Sequence, residues 1–136
     1  MEPITVSAVI HAPIERVWDS WTLPEHITKW TFASPDWHAP HATNDMQVGG
    51  KFMTRMEAVD GSIGFDFGGT YTNVEHHKAL AYTMGDGRKV SVIFTETPDG
   101  VTVTETFDPE TQHPVEMQRA GWQSILDNFK KYVESL

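Results

Sequence analysis

One acidic residue interrupts an apolar series in the second half of the chain. The alternating positions of this series are Val101, Val103, Glu105 and Phe107. In a strand with one buried face, this spacing places Glu105 on the same side as its apolar neighbours. A buried carboxyl group must be paired or protonated, because removal from water disfavours its charge. Glu105 therefore contacts a ligand hydroxyl or amine or acts as an acid or base; alternatively, it pairs with Arg55 or Arg119 or is turned outward by a bulge.

Two histidines suggest a second kind of chemistry. His38 and His41 lie close in sequence to Asp36 and Asp45, and imidazole and carboxylate groups are common zinc ligands. In a loop, this spacing does not direct both rings toward one ion, and no third ligand follows at a familiar spacing. The sequence therefore predicts no metal site, and it favours a pH-sensitive or substrate-facing position for these histidines at the rim of a site.

The signatures of common catalytic and cofactor sites are missing. The chain has no Gly-x-Ser-x-Gly element, phosphate-binding loop or dinucleotide fingerprint. It also has no cysteine, which excludes disulfides, thiolate nucleophiles and cysteine-ligated zinc. We therefore predict no cofactor and no metal. The only candidate for an enzymatic role is the carboxyl group of Glu105.

Length and charge narrow the class of protein. A chain of 136 residues fits one domain, which we expect to span residues 1–136. The formal net charge of −9 disfavours nucleic acid as a partner. No apolar run approaches the roughly 20 residues of a membrane helix, and the first residues lack the features of a signal peptide. We expect a cytoplasmic protein with no nucleic-acid partner and no membrane partner.

Most of the chain alternates between apolar and polar residues, as strands do. The alternation starts at Ile4 and returns in five later runs, residues 51–58, 63–75, 79–84, 89–97 and 101–108. Three Asp-Gly pairs separate these runs: Asp60-Gly61, Asp86-Gly87 and Asp99-Gly100. Asp-Gly is a strong hairpin signal, because both central positions of a type I′ turn need positive φ. The pattern predicts an antiparallel meander, and Gly68-Gly69 inside its longest run predicts a bulge.

Residues 31–48 show little periodicity. Pro35, Pro40 and Asn44-Asp45 break the segment, which predicts a long loop with one short edge strand at its end. Long ordered loops that carry aromatic residues often line sites. Trp37 therefore either borders a site or pins the loop to the core.

Helical spacing appears in two places. Pro13 suits the first turn of a helix, and Thr22-Leu23-Pro24-Glu25 has the form of a capping box that opens a second short helix. Residues 114–136 read as one long amphipathic helix, because Trp122, Leu126 and later apolar residues recur on one face. We expect the long helix to cross the concave face of the predicted sheet and the two short helices to support it as a V-shaped prop.

The space between the long helix and the sheet is the candidate site. We expect the strand side chains of one face, together with small and flexible residues of the helix, to surround a cavity that adapts to apolar molecules. The alternative is that the same residues form a solid core. The candidate ligand-binding residues are Trp37, Phe52, Met56, Phe65, Tyr71, Tyr82, Met84, Phe94, Glu105, Phe107, Met117 and Gly121.

Several segments resemble a known family. Residues 11–18 (HAPIERVW) and 23–30 (LPEHITKW) are similar to the opening of the helix-grip superfamily, also called START-like, Bet v 1-like or SRPBCC. Residues 45–52 (DMQVGGKF), Gly69-Thr70-Tyr71 and Ala120-Gly121-Trp122 resemble the AHSA1-like branch, which is named for the C-terminal domain of the Hsp90 ATPase activator. These motifs set backbone approach and packing, and none of them is a reactive group.

The resemblance implies a deep, largely apolar cavity, which the superfamily uses for lipids, sterols, polyketides and hormones and in a few branches for cyclase or hydrolase chemistry. Likeness of fold does not decide function. We therefore expect a small apolar or amphipathic molecule as the partner, with an Hsp90-type chaperone as the alternative partner and an enzyme that uses Glu105 as a further alternative.

The sequence predicts an α+β helix-grip fold. A curved antiparallel sheet of about seven strands wraps around a long C-terminal helix, and two short helices lie between strands 1 and 2. An edge strand near Met46 could pair between copies, so we expect a monomer or a weak homodimer.

Overall fold

The computed structural model describes residues 2–136 and has the predicted helix-grip architecture. The strands are β1 (Ile4–Ile10), β2 (Trp37–Asn44), β3 (Lys51–Ala58), β4 (Gly64–Glu75), β5 (Ala79–Met84), β6 (Lys89–Thr97) and β7 (Gly100–Phe107). The helices are α1 (Ile14–Thr22), α2 (Pro24–Ile27) and α3 (Val115–Glu134). None of the helices described for residues 2–136 has the length and apolar character that crossing a bilayer requires.

The seven strands form one antiparallel sheet in the order β1-β7-β6-β5-β4-β3-β2. Strands β2 to β7 follow one another as a meander, and β1 pairs with β7 at the far edge. The three Asp-Gly pairs lie at hairpin turns as predicted, and Gly61, Gly87 and Gly100 have φ of 78°, 93° and 143°. Such positive φ values favour glycine, which has no Cβ to clash.

The structure corrects the prediction for residues 31–48. The middle of the expected loop is an eight-residue edge strand, β2, instead of one short strand at its end. Pro40 lies inside it, where the register with β3 shifts between His38 and His41. Proline has no backbone N–H to donate, so a strand tolerates it at an edge or a bulge. The proline that made this segment look like a loop is therefore compatible with an edge strand.

Gly68 and Gly69 do not form the predicted bulge. Their pairing with β3 is regular, and the register shift in β4 lies between Tyr71 and Asn73, on the β5 side. A Cβ atom on Gly68 would lie 2.4 Å from the carbonyl oxygen of Phe52. The pair allows close backbone approach, and the bulge follows two residues later.

The predicted capping box is also wrong. The N-cap residue of α2 is Leu23, and no side chain caps it. The Thr22 hydroxyl instead donates to the backbone oxygen of Trp18, 2.8 Å away. Pro24 occupies the first turn of α2, where its missing N–H would have had no helical partner.

Helix α3 begins after Pro114 and crosses the concave face of the sheet. Leu126, Phe129 and Val133 are fully buried on its predicted apolar stripe. On its flank, three α3 side chains donate to carbonyl groups along β1: Arg119 to Thr5, Gln123 to Ser7 and Lys130 to Val9. These bonds satisfy an edge that would otherwise be open for pairing with another chain.

Candidate functional site

A cavity of about 510 Å³ lies between the first half of α3 and the strands that face it. It falls within the range of about 300–1,000 Å³ that is usual for small-molecule sites. Nine aromatic side chains line it: Trp21, Trp30, Trp37, Phe52, Phe65, Phe67, Tyr71, Tyr82 and Trp122. The wall is thus mainly apolar, with few polar groups.

The aromatic wall is built by alternation on neighbouring strands. Phe52 on β3 packs against Tyr71 on β4 and Tyr82 on β5, with ring centroids 5.3 Å and 4.6 Å apart. Phe67 on β4 reaches across to Trp122 on α3 at 6.1 Å. Edge-to-face and tilted contacts of this kind are favourable between aromatic rings, so the rings support one another around the open space.

The first half of α3 leaves the cavity open. Gly121 borders the cavity, and a Cβ atom added to it would meet no atom within 4 Å. Met117 also borders the cavity and is 60% exposed, as expected at an entrance. Ala120, by contrast, is exposed.

Glu105 is the one acidic group in the buried part of the wall. It is 5% exposed, and within residues 2–136 no hydrogen bond or ion pair reaches its carboxyl group. The expected alternatives do not occur: Arg55 pairs with Glu57 and Asp66, and Arg119 pairs with Glu116. Burial raises the pKa of Glu105 to about 8. At pH 7 the carboxyl group is therefore mostly neutral and can donate a hydrogen bond.

Tyr82 is close enough to Glu105 for the charge of Glu105 to affect its pKa. Burial raises the pKa of the Tyr82 hydroxyl well above its usual value, and the negative charge of Glu105 raises it further. Arg88 also lines the cavity, but its guanidinium binds Asp86 at 2.7 Å in the turn between β5 and β6. Glu105 and Tyr82 are therefore two mostly neutral polar groups at pH 7 on an aromatic wall.

A second polar group lies where β2 ends. The Tyr71 hydroxyl donates to Asn44 Oδ1 at 2.7 Å, and Asn44 Nδ2 donates to the backbone oxygen of Thr22 at 2.7 Å. Burial raises the pKa of Tyr71, which keeps its hydroxyl protonated. This chain of bonds holds β2 against α1 and places an amide and a hydroxyl on the cavity wall.

The segment before α3 forms the polar rim. Gln118 accepts a hydrogen bond from the Glu110 backbone N–H and donates to the carbonyl oxygens of Glu110 and His113. His113 Nδ1 lies 2.9 Å from Glu110 Oε1. Buried Gln118 therefore fixes the shape of the rim from inside.

The structure brings nine of the twelve predicted residues together on the cavity wall. They are Trp37, Phe52, Met56, Phe65, Tyr71, Tyr82, Glu105, Met117 and Gly121. Contact between these residues and a ligand stays a prediction. The cavity was also expected to border Met84, Phe94 and Phe107, but these three are buried in the core beside it.

Each of these three side chains lies on the face of the sheet that carries the core, but each packs within the core cluster instead of bordering open space. Phe94 packs against Trp18 and Trp21, with ring centroids 5.2 Å and 5.8 Å apart. Phe107 stacks on Trp122 at 3.9 Å. Met84 is buried at the end of β5, next to the turn into β6. Alternation predicted their direction and could not predict what fills the space in front of them.

Four aromatic residues of the wall were not among the predicted site residues: Trp21, Trp30, Phe67 and Trp122. Trp21 on α1 and Trp122 on α3 are partly buried and pack against the core as well as bordering the cavity. Phe67 could have been found, because it alternates with Phe65 and Tyr71 once Gly68-Gly69 is not a bulge.

His38 and His41 lie on the edge strand β2, and neither borders the cavity. His38 Nε2 is 3.7 Å from Glu57 Oε1, and the register shift separates the two histidines. In the part of the chain that the structure describes, no three histidine, aspartate or glutamate side chains converge as metal ligands do. The expected rim position for these histidines is wrong.

Comparison with protein families gives a match over most of the chain. Residues 11–134 match the family described as Activator of Hsp90 ATPase homolog 1-like protein. No significant match was found among curated proteins.

Similar structures cover nearly the whole chain. The solution structure of an AHSA1-like protein from Aeromonas hydrophila is 50% identical, with a TM-score of 0.93 over 98% of this chain and 92% of that one. A protein from Cytophaga hutchinsonii, also solved in solution, is 51% identical, with a TM-score of 0.84 over the same shares of the two chains. A crystal structure from Nitrosomonas europaea is 20% identical, with a TM-score of 0.85 over 98% of this chain and 95% of that one, and it shows the fold alone.

Proposed function

The chain belongs to the Activator of Hsp90 ATPase homolog 1-like family, and from the geometry of its cavity we propose that it binds a small, mainly apolar or amphipathic molecule between α3 and the sheet. The observation that carries the proposal is the hollow of about 510 Å³ with nine aromatic side chains on its wall. Protein interiors are normally packed as densely as organic crystals. A ligand in this space would supply the contacts that its lining lacks.

The arrangement of polar groups supports an amphipathic ligand. Glu105 and Tyr82 lie on the wall formed by β5 and β7, and Asn44 and Tyr71 lie where β2 meets β4. A few placed polar groups in an apolar cavity orient a ligand and select it, whereas the apolar area supplies most of the affinity. Exposed Met117 at the entrance is flexible enough to move aside.

Thermal unfolding in the presence of small apolar and amphipathic molecules tests the proposal. A ligand at 100 times its dissociation constant should raise the free energy of unfolding by about 2.7 kcal/mol. Gly121→Leu should remove this shift, because the new side chain enters the open space above the cavity. Ala120→Leu is the matched control, since it makes a similar change on the exposed side of the same helix.

Two results would contradict the proposal. One is the absence of any stabilisation across a panel that spans fatty, aromatic and steroid-like molecules. The other is equal stabilisation of wild type and the Gly121→Leu variant, which would put the ligand outside the cavity.

A second candidate function is a chaperone-associated role. It rests on the family description and on three apolar side chains near the β3–β4 turn: Val59, Ile63 and Phe65 are 62%, 61% and 47% exposed. Apolar groups gathered on one surface often mark a site for a protein partner. We expect the protein to change the ATPase rate of Hsp90 and the double substitution Val59→Ser and Ile63→Ser to weaken the effect. An unchanged ATPase rate with wild type would exclude this function.

A further inference from the structure

The chemistry around Glu105 defines the polar end of the proposed ligand, and this inference rests on the cavity binding proposed above. We propose that the bound molecule carries a protonated amine, which forms an ion pair with the Glu105 carboxylate inside the aromatic wall. The ligand class is thus an apolar body with one basic nitrogen. An amine-containing ligand would use the buried carboxyl group of Glu105, which has no partner among residues 2–136.

Two features of the wall attract a cation. Glu105 accepts no hydrogen bond from residues 2–136, so its oxygens are available to donors on a ligand. Phe67, Tyr82 and Trp122 share the wall with Glu105, and Phe67 packs against both of the others at 6.4 Å and 6.1 Å. The faces of aromatic rings attract ammonium groups.

Among residues 2–136, no cationic side chain forms an ion pair with Glu105. The neighbours of Glu105 in the sheet are Val6 on β1 and Val92 on β6, which are apolar. Helix α3 contributes Gln118, Gly121 and Trp122 to the wall, and none of these carries a charge.

The remaining titratable groups of the wall lie on other elements. Arg88 is bound to Asp86, and Glu110 is bound to His113 at the rim. Tyr71 and Tyr82 stay protonated, because burial raises the pKa of both hydroxyl groups. The net charge of −9 also attracts cations to the molecule as a whole.

The proton balance of binding is specific to this pairing. With an empty cavity the pKa of Glu105 is about 8, so at pH 7 the carboxyl group holds a proton and the free amine is already an ammonium ion. When the ammonium group binds, the carboxyl group releases its proton to solvent, and a carboxylate–ammonium pair remains. Binding at pH 6–7 therefore releases about one proton. Below the pKa of Glu105, the affinity for the amine increases about tenfold for each unit by which the pH is raised.

Isothermal titration calorimetry with matched probes tests the inference. The probes are benzylamine, 4-phenylbenzylamine and 1-naphthylmethylamine, each paired with the alcohol of the same skeleton. Titration at pH 7 in buffers of different ionisation enthalpy measures the protons released. We expect the amines to bind more tightly than their alcohols with release of about one proton, and we expect the alcohols to release none.

Three substitutions identify the carboxyl group responsible. Glu105→Gln should weaken amine binding about 10- to 100-fold, as loss of a charged hydrogen bond does, and should abolish proton release while leaving alcohol binding within a few fold. Glu96→Gln, at an exposed position on β6, is the control for the loss of one negative charge. It should change neither the affinity for the amines nor the number of protons released. Glu110→Gln tests the rim and should also leave proton release intact.

The possible outcomes distinguish failure of this inference from failure of the proposed binding function. If the alcohols bind in the cavity as tightly as the amines and no proton is released, the inference is overturned and apolar binding stands. Loss of amine binding on Glu110→Gln but not on Glu105→Gln would also overturn it, by placing the cation at the rim. If neither amines nor alcohols bind, the proposed function fails and the inference fails with it.

Discussion

The two halves of α3 cover one sheet but meet it differently. In the C-terminal half, Leu126, Phe129 and Val133 are fully buried, and the Phe129 ring contacts Trp21 and Trp30 with centroids 4.9 Å and 4.7 Å apart. In the N-terminal half, Met117 and Gly121 border open space. One continuous helix is therefore a core element at one end and the cover of a cavity at the other.

The side chains that lie between α3 and the sheet explain the difference between the two halves. Under the C-terminal half, the tryptophans of α1 and of the segment after α2 fill the space between helix and sheet. Under the N-terminal half, α3 and the strands border the cavity, which Trp21 and Trp30 also line. Strand β7 contributes to both regions, because Val101, Val103 and Phe107 are buried in the core cluster and Glu105 faces the cavity. The comparison shows that the tryptophans packed under the C-terminal half of α3 make that half part of the core, whereas the N-terminal half borders the cavity.

The largest expected effect on stability comes from the C-terminal half of α3, which is the solid half; the N-terminal half, which borders the cavity, is the hollow half. Phe129→Ala should lower the free energy of unfolding by about 3–5 kcal/mol, because it removes a fully buried ring and leaves a cavity. Met117→Ala, in the hollow half, should change it by about 0.5 kcal/mol or less, as an exposed side chain does. Urea denaturation measures both. Similar losses for the two variants would mean that the halves do not differ in packing.

A second prediction concerns pH and the carboxyl group in the hollow half. The pKa of Glu105 is raised to about 8 in the folded protein from its ordinary value of 4.5, so between these values the folded state holds a proton that the unfolded state has lost. The contribution of Glu105 to stability is therefore greatest below about pH 4.5 and declines as pH rises to 8, by on the order of 1.4 kcal/mol per pH unit. Above pH 8 both states are ionised and the decline stops.

Glu105→Gln removes this dependence. We expect the difference in unfolding free energy between the variant and wild type to grow by about 3 kcal/mol from pH 5 to pH 8, in favour of the variant. Chemical denaturation at several pH values measures the difference, and Glu96→Gln, at an exposed site, supplies the background dependence. A constant difference across this range would show that Glu105 titrates as an ordinary carboxyl group and that its surroundings are wet.

The sequence was most informative where a rule of local geometry applied. Alternation along β3, β5, β6 and β7 correctly predicted the inward face, including the position of Glu105 among apolar residues. Asp-Gly pairs located three turns, because few residues other than glycine adopt positive φ easily. The long stripe of α3 was equally clear, since each turn repeats the same face.

The sequence was least informative where the outcome depended on a distant partner. Pro40 indicated a loop, yet an edge strand accepts it because no neighbour needs its N–H. Phe94 looked like a cavity residue because its direction was known, whereas the tryptophans of α1 that cover it lie more than 70 residues away in the chain. Volume between layers is a property of the assembled fold, and no local pattern encodes it.

The smallest expected effect on stability concerns Gly121, which lies in the N-terminal half of α3 beside the cavity. Gly121 lies inside α3 with a helical φ and has no neighbour within 4 Å of an added Cβ, so Gly121→Ala should raise the free energy of unfolding by about 0.5–1 kcal/mol through lower backbone entropy in the unfolded chain. Gly68→Ala is the contrasting variant, because its Cβ would lie 2.4 Å from the carbonyl oxygen of Phe52 and should destabilise the sheet. Thermal denaturation of both variants measures the opposite signs. A loss of stability on Gly121→Ala would mean that the N-terminal half of α3 is packed as tightly as the C-terminal half, and the hollow would then be closed in solution.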